Sequence, residues 1–151
     1  MAVQDWTQAL SRTKKKCTGA WGSDSGFMEP NWPAAQQGMR VMIGYAGLES
    51  VDLHLRRVAA RVHEGGHDIP ETDIRRRWIA SHENLIRLLP WVTTLVVYDN
   101  SLERDPAAGA PPVPTLVLRI EERKLRYPGA DDVAQTPQWA KPIVAAAYKS
   151  L

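Results

Sequence analysis

Several shortages in the sequence narrow what the chain can be. Its 151 residues include a single cysteine, Cys17, so no internal disulfide can form and a stapled miniprotein is excluded. No stretch approaches the ~20 apolar residues of a membrane-spanning helix, and the N-terminus has no apolar core of a secretory signal. The chain therefore reads as soluble and cytoplasmic, with no membrane partner. Net charge is also scarce: 19 Lys and Arg against 17 Asp and Glu leave +2. That balance gives no general surface for nucleic acid and makes every charge argument a local one. The phosphate-cradling pattern G-x-x-x-x-G-K-[ST] is missing, and the glycine-rich stretch from Gly19 to Gly26 carries no lysine.

What is present suits an ordinary globular domain. Hydrophobic residues make up 44% and charged residues 24%, and one core at this length buries roughly 68–70% of the unfolded surface. Residues 1–38 stand apart, with Lys14 to Lys16, scattered Gly, Ser and Pro, and no period of 2 or 3.6. They are expected to form an irregular or remodelled N-terminal segment, with residues 39–151 as the patterned unit. There, Met39 to Ala46 is a short apolar, β-prone run that predicts a buried strand. Ser50 is expected to cap a helix running to residue 64, since Leu55, Val58, Ala59 and Val62 recur at helical spacing and Gly65-Gly66 stops it.

A second helix is expected over 70–89. Pro70 suits its first position, Glu71 and Asp73 lie near the positive end of its dipole, and Pro90 closes it. Ile74, Trp78, Ser81, Leu85 and Leu88 line one face. Thr93 to Tyr98 and Thr115 to Ile120 predict two more strands, separated by an Asp99-Asn100-Ser101 turn and the Ala/Pro/Gly stretch from Asp105 to Pro112. The basic Glu121–Arg126 stretch leads to a turn at Tyr127-Pro128-Gly129. Thr136-Pro137 is expected to open a terminal helix carrying Trp139, Ile143, Ala147 and Tyr148, which Pro142 kinks or restarts. This order implies an α/β fold with a largely parallel sheet.

Six arginines, at positions 56, 57, 61, 75, 76 and 77, dominate the chemistry-bearing residues. Arg57 and Arg61 share a helix face, and Arg77 opens a stripe with Ala80 and Asn84. Joined by Gly-Gly-His-Asp, the two helices form a hairpin suited to polyphosphate, because guanidinium groups hold phosphate oxygens bidentately at all relevant pH. A solvated charged face is the other reading of the same residues. His63-Glu64-Gly65-Gly66-His67 matches the zinc-protease pattern H-E-x-x-H, which needs both histidines on one continuous helix. Two adjacent glycines there cost about 2 kcal/mol against alanine, so no metal site is expected. Cys17 reads as an inert thiol and Lys14 to Lys16 as a solvated run.

Taken together, Gly65-Gly66-His67-Asp68-Ile69-Pro70, Ile74-Arg75-Arg76-Arg77-Trp78, Glu83-Asn84-Leu85 and Asp99-Asn100-Ser101 make residues 39–101 resemble the C-terminal half of the zeta-toxin-like P-loop kinases. The stretch from Ala130 to Ala147 is similar to the end of those proteins, and the resemblance covers about residues 35–149. It implies an ATP-dependent kinase with a doubly wound sheet; the founding toxins phosphorylate UDP-N-acetylglucosamine, and many relatives have unknown substrates. In that pattern the arginine hairpin is a lid over the ATP phosphates. By resemblance Arg57, Arg61, His67 and Arg77 occupy lid positions, Asp99 and Asn100 fall where a strand-end loop approaches the nucleotide, and ATP with Mg²⁺ is the implied cofactor.

Two departures qualify the expectation. Residues 1–38 match none of the family's first strand, phosphate loop, helix and acidic base, and Ala80 stands where a family arginine commonly precedes the serine matching Ser81. The resemblance then implies a truncated or degenerate kinase domain: a partial P-loop-kinase-like, mostly parallel sheet with flanking helices and a helical-hairpin lid. Such a domain is inactive alone, has no assignable catalytic residue and keeps its arginines for a nucleotide or sugar nucleotide. Two alternatives stay open. One is a non-catalytic module that holds a nucleotide or pairs with an intact toxin or antitoxin. The other is an active sugar-nucleotide kinase with an unorthodox phosphate loop in Gly19 to Gly26. The missing first strand would leave an uncovered edge at Arg40 to Ala46, favouring self-association or partner capture.

Overall fold

The computed structural model describes residues 40–102 and 113–151. The expectations placed on residues 1–38 and on Asp105 to Pro112 lie outside them. Four strands and three helices follow one another as β1 (Met42–Gly47), α1 (Val51–His63), α2 (Glu71–Leu88), β2 (Thr94–Asp99), β3 (Thr115–Glu121), β4 (Lys124–Tyr127) and α3 (Lys141–Ser150). Among the described residues no helix is long and apolar enough to cross a membrane.

Local chemistry sets the helix ends. Ser50 is extended, and its hydroxyl accepts from the Leu53 amide at 3.2 Å, capping α1 as expected. At the other end the amides of Gly65 and Gly66 donate to the Val62 and Arg61 carbonyls, each at 2.9 Å. Gly65 has φ +90, and a β-carbon on Gly66 would lie 2.8 Å from the Arg61 carbonyl oxygen, so this close wrap requires both glycines. The helix therefore stops at His63, and His67 sits in the connection. Pro70 occupies the cap of α2 rather than its first turn, and Leu89–Trp91 continues the chain as a tight 3₁₀ turn around Pro90. Pro142 lies in the first turn of α3, which restarts the chain after the 3₁₀ turn Gln138–Ala140.

The fold is α/β, but its sheet is mixed rather than mostly parallel. The strand order is β1-β2-β3-β4; β1 and β2 are parallel, whereas β2–β3 and β3–β4 are antiparallel. Parallel pairing needs a long crossover, and α1 with α2 supplies one between β1 and β2. The chain then doubles back through β4, a strand that the basic Glu121–Arg126 stretch does not suggest. Its two-residue turn places Glu122 and Arg123 at φ 50 and 60, the left-handed geometry of a tight hairpin. Long-range bonds hold this turn in place of glycine: Arg123 donates from its amide to the Thr93 carbonyl at 3.0 Å and from Nη1 to the Pro90 carbonyl at 2.9 Å, and Arg40 pairs with Glu122.

The main core cluster lies on one face of the sheet, and Val96 of β2 is buried on the other. Leu95, Val97, Leu118 and Ile120 pack against Leu85 and Leu88 of α2, Ile143, Val144 and Ala147 of α3, and Trp139. Ile43 and Tyr45 of β1 join this cluster, while Met42, Gly44 and Ala46 point to the other face and are exposed. The expectation of a buried first strand is thus corrected to a half-buried one, at an edge of the sheet among the described residues. Gly47 ends β1 where the strand crosses the indole of Trp139. A β-carbon there would come within 2.1 Å of Cη2. Gly47→Ala is therefore expected to destabilise the fold by about 1–3 kcal/mol through forced displacement of a buried ring. Urea unfolding followed by tryptophan fluorescence measures this, and an unchanged midpoint would contradict the packing.

Candidate functional site

The one parallel pair among the described strands brings two chain ends together. Gly47 lies opposite Asp99, and the Asn100 amide donates to the Gly47 carbonyl at 2.9 Å. The Glu49 amide donates to the Ser101 hydroxyl at 2.7 Å. Asp99 Oδ1 accepts from the Ser101 amide at 3.0 Å and from its hydroxyl, so this carboxylate shapes the strand-end turn. Just outside the carboxyl ends of parallel strands is where α/β sheets open a crevice for ligands.

Two adjoining depressions occupy that position. The larger, about 420 Å³, is bordered by Tyr45, His54, Arg77, Trp78, Ser81 and His82. The smaller, about 340 Å³, is bordered by His54, Arg57, Arg61 and Asn100. They meet at Ala46, Leu48 and His54, which line both. Neither depression is lined by a carboxylate among the described residues.

Five of the six arginines divide into two groups. Arg57 and Arg61 border the smaller depression and Arg77 the larger. Arg57 Nη2 donates to the Leu102 carbonyl and Arg61 Nη2 to the His67 carbonyl, both at 3.3 Å, which orients the first along the strand-end loop and the second along the helix connection. Arg75 instead pairs with Glu71 at 2.7 Å and Asp52 at 3.5 Å, and Arg76 with Asp73 at 2.9 Å, on exposed surface where such pairs contribute little. Of the sequence-predicted residues, the structure thus brings Arg57, Arg61, Arg77 and Asn100 to the cleft. His67 takes part through its carbonyl and is itself exposed, and Asp99 stands at the strand end without lining either depression.

The larger depression has a floor that the sequence reading misses. Ser81 Oγ donates to the Trp78 carbonyl at 2.9 Å, so the 3.1 Å contact with the Tyr45 hydroxyl has Tyr45 as donor. Burial pushes the Tyr45 phenol up. His82 Nδ1 lies 2.6 Å from the same Trp78 carbonyl and must carry a proton, because a carbonyl only accepts. The His82 ring lies 4.5 Å from that of Trp78 and 5.4 Å from that of Trp139. Among the described residues, the buried nitrogens Trp78 Nε1, His82 Nε2 and Trp139 Nε1 meet no hydrogen-bond partner.

His54 is the other unpredicted residue. It precedes Arg57 and Arg61 by three and seven residues on α1, a one-face spacing readable in the sequence. Partial burial lowers its pKa from the ordinary histidine value, and the charges of Arg61 and then Arg57 lower it further.

No protein-family model, curated protein or solved structure matches the chain. The arrangement itself fits the phosphate part of the implied cofactor: guanidinium groups and Asn100 border a crevice that no acidic residue among those described lines. It offers Mg²⁺ no lining carboxylate, and among the described residues no group of three or more His, Cys, Asp or Glu is arranged to hold a metal ion.

The His54 shift has a consequence for stability. Its folded pKa lies below the unfolded value of ~6.5, so the unfolded chain binds more protons as pH falls through that value, and stability drops. Wild type is expected to lose more stability than His54→Gln between pH 7.5 and 5.5, read from urea midpoints. Equal losses would contradict the placement of His54 beside Arg57 and Arg61.

Proposed function

We propose that the chain is a phosphate-binding module of the zeta-toxin-like kind. It takes a nucleotide or sugar nucleotide by its phosphates at the carboxyl ends of β1 and β2, and it turns over no ATP by itself. The observation that carries this reading is the joining of the Arg57–Arg61–Asn100 depression to the one bordered by Arg77. Guanidinium groups arranged about a crevice supply the charge-assisted, directional donors that phosphate oxygens require.

Transfer of a phosphoryl group needs more than this. The loop that cradles the β- and γ-phosphates, its lysine, its Mg²⁺-binding hydroxyl and an acidic base have no match in these 151 residues. Ala80 removes a further charge from the stripe it shares with Arg77 and Asn84. Binding without a cradle is weak and falls with ionic strength. A second reading, capture of an antitoxin or a second copy along β1, is favoured by the edge position of that strand among the described residues and by exposed Met42, Gly44 and Ala46.

The test is ATP binding at low salt together with ATP consumption in Mg²⁺. Arg77→Ala is expected to weaken ATP binding by about tenfold, the loss of one charge-assisted contact. Consumption with or without UDP-N-acetylglucosamine is expected to stay at background. An unchanged isotherm for the variant would refute the site. Formation of phosphorylated sugar nucleotide would refute the non-catalytic reading.

A further inference from the structure

We propose that His54 is a proton-taking ligand of the oxyanion site, neutral in the unliganded cleft and protonated when a dianion settles beside Arg57 and Arg61. The inference rests on the phosphate-binding reading above and adds a residue and a chemical coupling to it.

The geometry singles out His54. Apart from Ala46 and Leu48 it is the one described residue lining both depressions, so a ligand reaching from one into the other passes its imidazole. It is half-buried, and its own helix presents Arg57 and Arg61 on the same side. From α2 the larger depression receives Arg77 and His82, the latter with Nδ1–H committed to the Trp78 carbonyl. From β1 comes Tyr45, whose hydroxyl is bonded to Ser81. The end of β2 contributes neutral Asn100, while the Asp99 carboxylate is bonded to Ser101 and lines neither depression. Asp52, two residues before His54, is exposed and paired with Arg75.

Among the described residues, every charged side chain bordering the cleft is therefore cationic. The energy of placing one more positive charge there changes sign of preference when an anion arrives: the arginines that repel a proton on His54 are neutralised, and the anion itself attracts it. Protonated imidazole then offers an N–H as a further charge-assisted donor to the same oxyanion. By thermodynamic linkage, anion binding takes up a proton and acid pH tightens the complex. The cleft so built senses pH close to neutrality, where histidine alone among unperturbed side chains changes charge.

Sulfate is the discriminating probe, because it remains a dianion across this range and binds without the proton chemistry of phosphate. The full chain is followed by histidine NMR from pH 5 to 8 in chloride and in saturating sulfate at matched ionic strength. The midpoint of the His54 titration is expected to rise by about one pH unit in sulfate, the shift that corresponds to a tenfold linkage. The sulfate-induced change at His54 is compared with that at His63, which lies outside both depressions. Sulfate affinity is expected to rise by about three- to tenfold from pH 7.5 to 5.5 in wild type, and His54→Gln is expected to lose that gain. Sulfate-induced shifts at the Arg57 and Arg61 amides with an unmoved His54 titration would overturn this inference and leave the phosphate site standing. No sulfate-specific shift at any pH would overturn both.

Discussion

Because β1 and β2 run side by side in one direction, the chain must travel from the end of one back to the start of the other. That return path is α1 and α2. The Gly47–Asp99 register and the Asn100-to-Gly47 hydrogen bond fix both strand ends at one level. α1 begins four residues after β1 ends, so its first turns stand over that level with Arg57 and Arg61 on the cleft side. Residues more than forty positions apart, Arg57 and Asn100, thereby border one depression. An antiparallel pairing of these strands would place the two ends at opposite sides of the sheet, and the cationic residues would share no site.

The second constraint comes from the C-terminal segment. Trp139 lies beneath Gly47 so closely that no side chain fits between them, and its ring completes the cluster formed by Tyr45, Trp78 and His82. Three nitrogens in this cluster meet no hydrogen-bond partner among the described residues, and an unsatisfied buried group costs about 1–3 kcal/mol. Ring packing therefore holds the floor together alongside the Tyr45–Ser81, Ser81–Trp78 and His82–Trp78 hydrogen bonds. Such local costs concentrate where a protein's surface is shaped for more than stability. The cleft thus has an apolar, aromatic arm beside a cationic one, and His54 stands at their junction.

How much of this was legible in the sequence follows from which interactions are local. Both long helices follow from apolar period, the Ser50 cap and the Gly65-Gly66 stop, all of which act within a few residues. The shared face of Arg57 and Arg61 is legible for the same reason. Sheet direction is not: β4 begins after a turn whose Glu122 and Arg123 lack the glycine or asparagine that marks a tight hairpin, and distant Thr93 and Pro90 hold that turn. Glu71 and Asp73 suit the helix dipole on sequence alone, yet they also draw Arg75 and Arg76 into ion pairs away from the cleft. His54 was accessible to sequence reasoning through its spacing to Arg57 and Arg61. The meeting of Tyr45 with Trp139 was not, since only tertiary packing joins them.

The central claim is that the carboxyl ends of β1 and β2, with α1 above them, receive a phosphate-bearing ligand. The most direct measurement is a two-dimensional amide NMR titration of the chain with ATP at low salt. The account predicts saturable shifts clustered at Leu48, His54, Arg57, Arg61 and Asn100, with the exposed Arg75 and Arg76 turn unaffected. Shifts centred on Arg75 and Arg76, or spread evenly over the surface arginines, would contradict it.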